Sequence, residues 1–415
     1  MLKFLLKDSF WLLVGSSIGR FAMFLGNIIA ARMLPQEVFG HFSMIRNTIS
    51  SIEGLISGTL GSTIIKTVAQ EQEDQGALPK LLLTILIINI SFMIVVCIAL
   101  YLNIEYIIKN YFLDESSLEQ SLFLGGFILI TSSASNLIQN ILIGLEEFKN
   151  ISKVSILTSV LAVPFIYALT NYLGMNGALL GVILYFTIDS ILKSFLIRGV
   201  LKKVKFDYKF FRKKTEKILK FVYPIFLTFL VNGFIFWYAR VLLIEKSNGF
   251  REVAIFDAAF QWLTIIMIIT AATTNAVLPK FSKRTVSAKN NKSLFLFGLS
   301  INIIISVVLA LIFILFSKNI MSIYGEEYIF GAYILEILCF TSTVYTLSIF
   351  LNRYNIAKDR AWVVLFASLF GACSMCLFIW TNIDIFDVRI LAWSFFTYYL
   401  GTVLVYASRI KIVSL

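Results

Sequence analysis

The chain has 415 residues, 59% of them hydrophobic and 14% charged, with a formal net charge of +12; soluble globular chains carry roughly 25% charged residues. This composition excludes a water-soluble fold and leaves no stretch long enough for a soluble catalytic domain. One histidine, four cysteines in apolar stretches and no GxxxxGK[ST] run exclude a disulfide framework and P-loop ATP hydrolysis, and argue against a metal centre. No catalytic residue, metal ligand or resident cofactor is expected.

Uninterrupted apolar windows predict spanning helices over 10–31, 42–65, 81–102, 121–143, 154–173 and 175–197. Six more follow over 218–244, 253–278, 294–316, 331–352, 362–380 and 390–408. Lys3 and Lys7 precede the first window with no small-residue cleavage pattern behind it, so that window is expected to be a retained span. Alternate connections hold 26 basic residues on one side and 6 on the other. By the positive-inside rule this places both termini in the cytoplasm. The charge is then a topology signal, and no nucleic-acid partner is expected.

The expected fold class is all-α: a polytopic membrane protein of twelve transmembrane helices in two six-helix lobes around a central cavity. The lobes are expected at 1–200 and 218–415, joined by a basic cytoplasmic linker at 201–217. The basic loop Arg198–Lys220 reads as a topological anchor, with an amphipathic segment on the anionic inner leaflet as the alternative. The halves overlay at an offset near 210. Arg32 falls on Arg240, Lys66 on Lys280, Ser135 on Ser348 and Gln139 on Asn352. Each half crosses an even number of times, so both have one orientation.

Span 4 carries Thr131, Ser132, Ser135, Asn136, Gln139 and Asn140 on one helical face. Span 2 has a stripe of small and polar residues including Asn47, Gly54, Gly58 and Gly61. Asn47, Ser135, Asn136, Gln139 and Asn140 are candidate cavity-lining residues for a sugar, because amides facing lipid are costly. The GxxxG pairs Gly54/Gly58 and Gly177/Gly181 fit close helix packing. Ionisable residues at membrane depth are Arg20, Arg46, Glu53, Asp189, Lys193, Arg240, Asp257 and Glu336. Arg20 with Glu53, Arg240 with Asp257, and Asp189 with Lys193 are expected as salt bridges, leaving Arg46 and Glu336 without an obvious mate. Spans 1 and 7 read as interrupted, by Gly15, Gly19 and Gly26 in one and by Pro224 and Gly233 in the other. Cys373-x-x-Cys376 is expected to pack, and His41 to be a solvated loop residue.

The run Ile28-Ile29-Ala30-Ala31-Arg32-Met33-Leu34-Pro35-Gln36-Glu37-Val38-Phe39-Gly40 resembles the end of the first span in polysaccharide (O-antigen type) flippases of the multidrug/oligosaccharidyl-lipid/polysaccharide exporter superfamily. Gly144-Leu145-Glu146-Glu147-Phe148 and Gly177-Ala178-Leu179-Leu180-Gly181 are similar to further stretches of that family, whereas Tyr238-Ala239-Arg240 lacks the Asp that relatives often carry before the Arg. The resemblance implies a non-enzymatic flippase, multi-pass in the bacterial inner membrane. It would move an undecaprenyl-diphosphate-linked oligosaccharide repeat unit from the inner to the outer leaflet by alternating access. The substrate and membrane lipids are the implied partners, with polysaccharide polymerase and chain-length proteins as candidates. For that substrate, Arg20, Arg46 and Arg240 are candidate diphosphate ligands. Glu53, Asp257 and Glu336 are candidate coupling carboxylates for a proton or sodium gradient. The alternatives are a cation-coupled multidrug exporter of the same superfamily, against which the lack of an acid in span 1 counts, and a non-transporting membrane assembly subunit.

Overall fold

A computed structural model describes residues 19, 21–71, 76–111, 118–201, 207–247, 249–281, 288–358 and 360–409. Among these, all regular structure is helical. The helices are α1 (Phe21–Met33), α2 (Gln36–Glu53), α3 (Thr59–Glu71), α4 (Ala77–Leu102), α5 (Ile104–Tyr111), α6 (Glu119–Gly144), α7 (Phe148–Leu201) and α8 (Tyr208–Lys246). They continue with α9 (Phe250–Phe281), α10 (Ala288–Leu315), α11 (Ser317–Ser322), α12 (Ala332–Ala357), α13 (Ala361–Thr381) and α14 (Val388–Arg409). Nine helices among the described residues are long and apolar enough to cross a membrane. Large apolar side chains such as Leu315 and Phe330 stand 77% and 87% exposed, as a hydrocarbon solvent permits. The chain forms two compact units, Met1–Gly233 and Phe234–Leu415.

In the first unit, α7 has 54 residues. At 1.5 Å per residue a straight rod would reach about 80 Å, far beyond a hydrocarbon core of about 30 Å. It turns back at Gly174, whose φ of 58° and ψ of −134° suit a residue without a Cβ. The legs then run antiparallel. Leu169 lies on Gly177, Ile166 on Gly181, and the Thr158 hydroxyl donates to Asp189 Oδ1 (3.4 Å). A methyl group on Gly177 would run into the carbonyl of Leu169, and one on Gly181 would stand 2.9 Å from Ile166 Cα. The GxxxG spacing is therefore used for helix approach, as its sequence suggests.

The second span starts earlier than its apolar window. Pro35, with φ −52°, sets the entry, and Glu37 lies in the first turn, where the helix dipole favours an acid. His41 consequently sits inside α2 and is buried, not solvated in a loop. Between α2 and α3, Gly54–Gly58 forms a π-helical turn. A Cβ on Gly58 would stand 2.6 Å from the Phe229 ring, and one on Gly233 would stand 3.3 Å from Ser51 O. The irregular turn is thus packed by α8. Span 7, expected to be interrupted, is a continuous helix through Pro224 and Gly233, and the Thr228 hydroxyl donates to the Pro224 carbonyl (2.9 Å). The helix break that the glycines of span 2 permit is the one that forms.

The basic segment is also more ordered than a loop, since residues 208–220 are the opening turns of α8. Asp207 Oδ1 accepts from the Phe210 amide (3.1 Å) as an N-cap, and Asp207 Oδ2 pairs with Lys80 Nζ (3.0 Å). Lys214 pairs with Glu71, and the Lys80 and Lys214 ammoniums lie 6.0 and 5.4 Å from the Phe210 ring centroid. Two ion pairs and one ring thus tie this segment to α3 and α4.

In the second unit, the Asn302 side chain joins α10 to α9 by accepting from Thr273 and from Thr274 (3.2 Å). The Ser348 and Thr402 hydroxyls lie 2.7 Å apart between α12 and α14, and the Tyr406 hydroxyl lies beside the Asn352 side chain. These pairs are 54 apart in number. In the first unit, Ser135 donates to Asp189 Oδ2 and Lys193 Nζ donates to Gln139 Oε1 (2.9 Å), again 54 apart. An offset of 213 carries the four first-unit residues onto Ser348, Thr402, Asn352 and Tyr406. The internal repeat is therefore present as a shared helix register.

Gly177→Ala is expected to lower the thermal midpoint of the purified protein by the equivalent of about 1–3 kcal/mol of overpacking or more. Gly126→Ala, with nothing within 4 Å of its Cβ, is expected to keep the midpoint or raise it slightly, because alanine is the better helix former.

The Phe210 amide and then Lys80 hold the Asp207 carboxyl below its ordinary value of 3.8. A depressed carboxylate stabilises the fold above its ordinary range, and that contribution is lost as pH falls through the depressed value. Amide exchange at Phe210, corrected for intrinsic pH dependence, is expected to lose protection on acidification. Asp207→Ala should show the loss already at neutral pH, whereas Asp207→Ser should retain the cap.

Candidate functional site

α6 is the hub of the polar side chains in the first unit. Its polar face, a single stripe in sequence, serves two neighbours. Ser135 and Gln139 point to α7, where Ser135 meets Asp189 and Gln139 meets Lys193. Asp189 and Lys193 are themselves paired at 2.5 Å, each side chain only 2% exposed. Ser190 Oγ adds a bond to the Thr131 carbonyl (3.2 Å). Asn136 and Asn140, each one residue further on, point to the second span. Asn136 donates to Glu53 Oε1, with Ser132 beside the same carboxylate. Asn140 Nδ2 lies 2.9 Å from where a Cβ on Gly61 would stand.

Glu53 is the last residue of α2 before the π turn. Such single turns are frequent at functional sites because they free backbone groups and re-aim side chains. Six residues earlier, Asn47 is half-buried on α2, and its neighbour Arg46 donates through Nη1 to Asn27 Oδ1 while its guanidinium lies 5.5 Å from the Phe42 centroid. Sequence reasoning gave Arg46 no mate, and the structure supplies Asn27 and Phe42. Arg20 lies outside the described residues, so its expected pairing with Glu53 does too.

In the second unit two candidates with different expected roles come together. Arg240 Nε donates to Asp257 Oδ1 (3.1 Å) and Nη1 donates to the Phe236 carbonyl (2.9 Å). The guanidinium lies 5.1, 5.4 and 5.6 Å from the centroids of Phe256, Phe260 and Phe395. Arg240 is 4% exposed and Asp257 7%. The expected salt bridge is formed, and the aromatic cage around it was missed. Phe256 and Phe260 are spaced i, i+4 on either side of Asp257, which is the signal that would have found two of the three rings. Glu336 stands apart from this group and accepts from Ser317 Oγ (2.8 Å) of α11.

Chemically, the first unit offers two hydrogen-bonded groups on either side of α6, one around Glu53 and Asn136 and one around the Asp189–Lys193 pair. The second offers a caged cation with its counter-ion. Among the described residues no group of three or more His, Cys, Asp or Glu side chains is placed to hold a metal.

Known proteins place this architecture. A family model described as "Polysaccharide biosynthesis protein" matches residues 5–285. The EPS I polysaccharide export inner membrane protein EpsE of Ralstonia nicotianae is 22% identical over 351 residues, covering 83% of this chain and 79% of its own length. The uncharacterized membrane protein MJ1375 of Methanocaldococcus jannaschii is 25% identical over 292 residues, covering 67% and 68%. Among solved structures, an inward-facing multidrug resistance MATE family transporter of the MOP superfamily superposes with a TM-score of 0.72 at 14% identity, covering 96% of both chains. A MOP superfamily transporter from Pyrococcus furiosus does so with 0.70 at 14%, covering 97% and 93%. At these identities the structural likeness establishes the fold, a MATE-like polytopic transporter fold. The family match spans well over half of the sequence, and the chain belongs to the polysaccharide biosynthesis protein family of membrane transporters.

Proposed function

We propose that this protein is a flippase that moves an undecaprenyl-diphosphate-linked oligosaccharide repeat unit from the inner to the outer leaflet of a bacterial inner membrane by alternating access. The observation that carries the reading is the family match over 5–285, supported by a relative whose name is a polysaccharide export inner membrane protein. A diphosphate needs cations in a low-dielectric setting, and planar guanidiniums grip it with two parallel hydrogen bonds. Arg46, half-buried beside Asn27 and Asn47, is the first candidate for that grip. Arg240 becomes available only when Asp257 is neutralised or displaced, so cargo and counter-ion compete for it. Arg20 belongs to the same proposal from its sequence position. Asn47 and the α6 amides Asn136 and Asn140, with Ser135 and Gln139, are the proposed partners of sugar hydroxyls once their internal contacts open.

A proton or sodium gradient is the proposed energy source. Glu53, at the π turn, is the first candidate among the coupling carboxylates Glu53, Asp257 and Glu336. Glu53 accepts from Asn136, Asp257 from Arg240 and Glu336 from Ser317. Polysaccharide polymerase and chain-length proteins are proposed partners on the same membrane.

Deletion of the gene in its host should leave lipid-linked oligosaccharide on the inner leaflet and remove surface polysaccharide. Intact polysaccharide with altered drug tolerance would instead identify the multidrug exporter reading.

Arg46→Gln should lower export about tenfold or more, the worth of one or two charge-assisted hydrogen bonds. Arg240→Gln alone should accumulate poorly because it strands Asp257 in apolar surroundings, a cost of about 3–5 kcal/mol, and adding Asp257→Asn should restore accumulation. Normal export by that double variant would remove Arg240 from the cargo site.

A further inference from the structure

The pair Asp189–Lys193 borders the proposed cargo site through Ser135 and Gln139 but is not itself part of it, and its place in the repeat provides an internal comparison. The α6–α7 contact and the α12–α14 contact have the same register, yet the repeat partners of Asp189 and Lys193 are Thr402 and Tyr406. Neutral hydroxyl groups therefore satisfy this helix pairing. Charge at 189 and 193 is not demanded by packing, and a buried ion pair returns little net stability over a neutral replacement.

The surroundings of the Lys193 ammonium suggest what the charge is for. Nζ lies 2.5 Å from Asp189 Oδ2 and 2.9 Å from Gln139 Oε1. Behind Asp189 stand the hydroxyls of Ser135 and Thr158, both buried. A carboxylate and an amide carbonyl make an all-oxygen donor set, which is what hard cations take. Gln139 on α6 and Asp189 on the second leg of α7 meet at the ammonium, while Ser135 on α6 and Thr158 on the first leg of α7 donate to the carboxylate and hold it in place.

We propose that Lys193 is a tethered cation, its ammonium filling a site formed by Asp189 and Gln139, with Ser135 and Thr158 holding the carboxylate, that would otherwise bind a monovalent cation such as sodium. The first unit is then held together at this point without a diffusible ion, and sodium has no part to play there. Removing the tether uncovers a cation site. The inference concerns ion binding and holds for any cargo.

The test is thermal unfolding of the purified full-length protein in choline, sodium or methylammonium chloride at equal ionic strength. The wild-type midpoint should be the same in all three salts. Lys193→Ala should unfold at lower temperature in choline and regain most of that shift, saturably, in sodium or methylammonium. The double variant Asp189→Thr/Lys193→Tyr, which carries the residues of the other half, should fold and respond to none of them. A Lys193→Ala protein that ignores the cation, or that is unfolded in all three salts, overturns the proposal. So does a wild-type sodium response that the double variant lacks. Failure of the double variant to fold also overturns it, because the charges would then be required for packing.

Discussion

Inside a bilayer no water is available to a polar side chain, so each one must find its partner within the protein. That requirement organises the first unit around α6. Apolar surfaces alone do not specify how two helices slide along each other, since lipid tails are as good a neighbour as leucine. Ser135 on Asp189 and Lys193 on Gln139 fix the slide of α6 against α7, and Asn136 on Glu53 fixes it against the second span. Ser348 on Thr402 does the same for α12 and α14. Glycine sets the distance of approach and the polar pair sets the register.

The same requirement bears on transport. Several polar groups proposed to meet a sugar or a diphosphate are already satisfied by the protein: Asn136 by Glu53, Arg240 by Asp257 and the Phe236 carbonyl, Arg46 by Asn27. Cargo binding on these residues is therefore an exchange of partners. An exchange costs far less than exposing bare polar groups to hydrocarbon, and it makes the internal contacts reporters of the empty state.

Much of this was legible in the sequence, and what was not has identifiable causes. Helical periodicity placed Ser135, Asn136, Gln139 and Asn140 on one face, and i, i+4 spacing paired Asp189 with Lys193. Periodicity does not say that the face is shared between two neighbours, because that depends on where the second span and α7 pack. Composition marked 198–220 as basic, but whether basic residues form a loop or a helix is decided by Asp207 as an N-cap and by ion pairs to distant Lys80 and Glu71. Pro224 suggested a broken span 7, yet the helix runs on through it, with the Thr228 hydroxyl bonding the Pro224 carbonyl one turn on, as prolines in long membrane helices are tolerated. His41 was misplaced because an apolar window detects the hydrocarbon-crossing stretch and not the turns added at its end by Pro35.

The π turn at Gly54–Gly58 has an evolutionary consequence. A spanning helix ordinarily tolerates no insertion or deletion, since one residue more or less turns everything beyond it by about 100°. This helix already contains the equivalent of an inserted residue, absorbed by Phe229 against Gly58. Losing a single residue there would yield a regular helix in which α3 keeps its face, with Gly61 still against Asn140. The second span is thus the place in this scaffold where a one-codon deletion leaves both the crossing and the helix face beyond it intact.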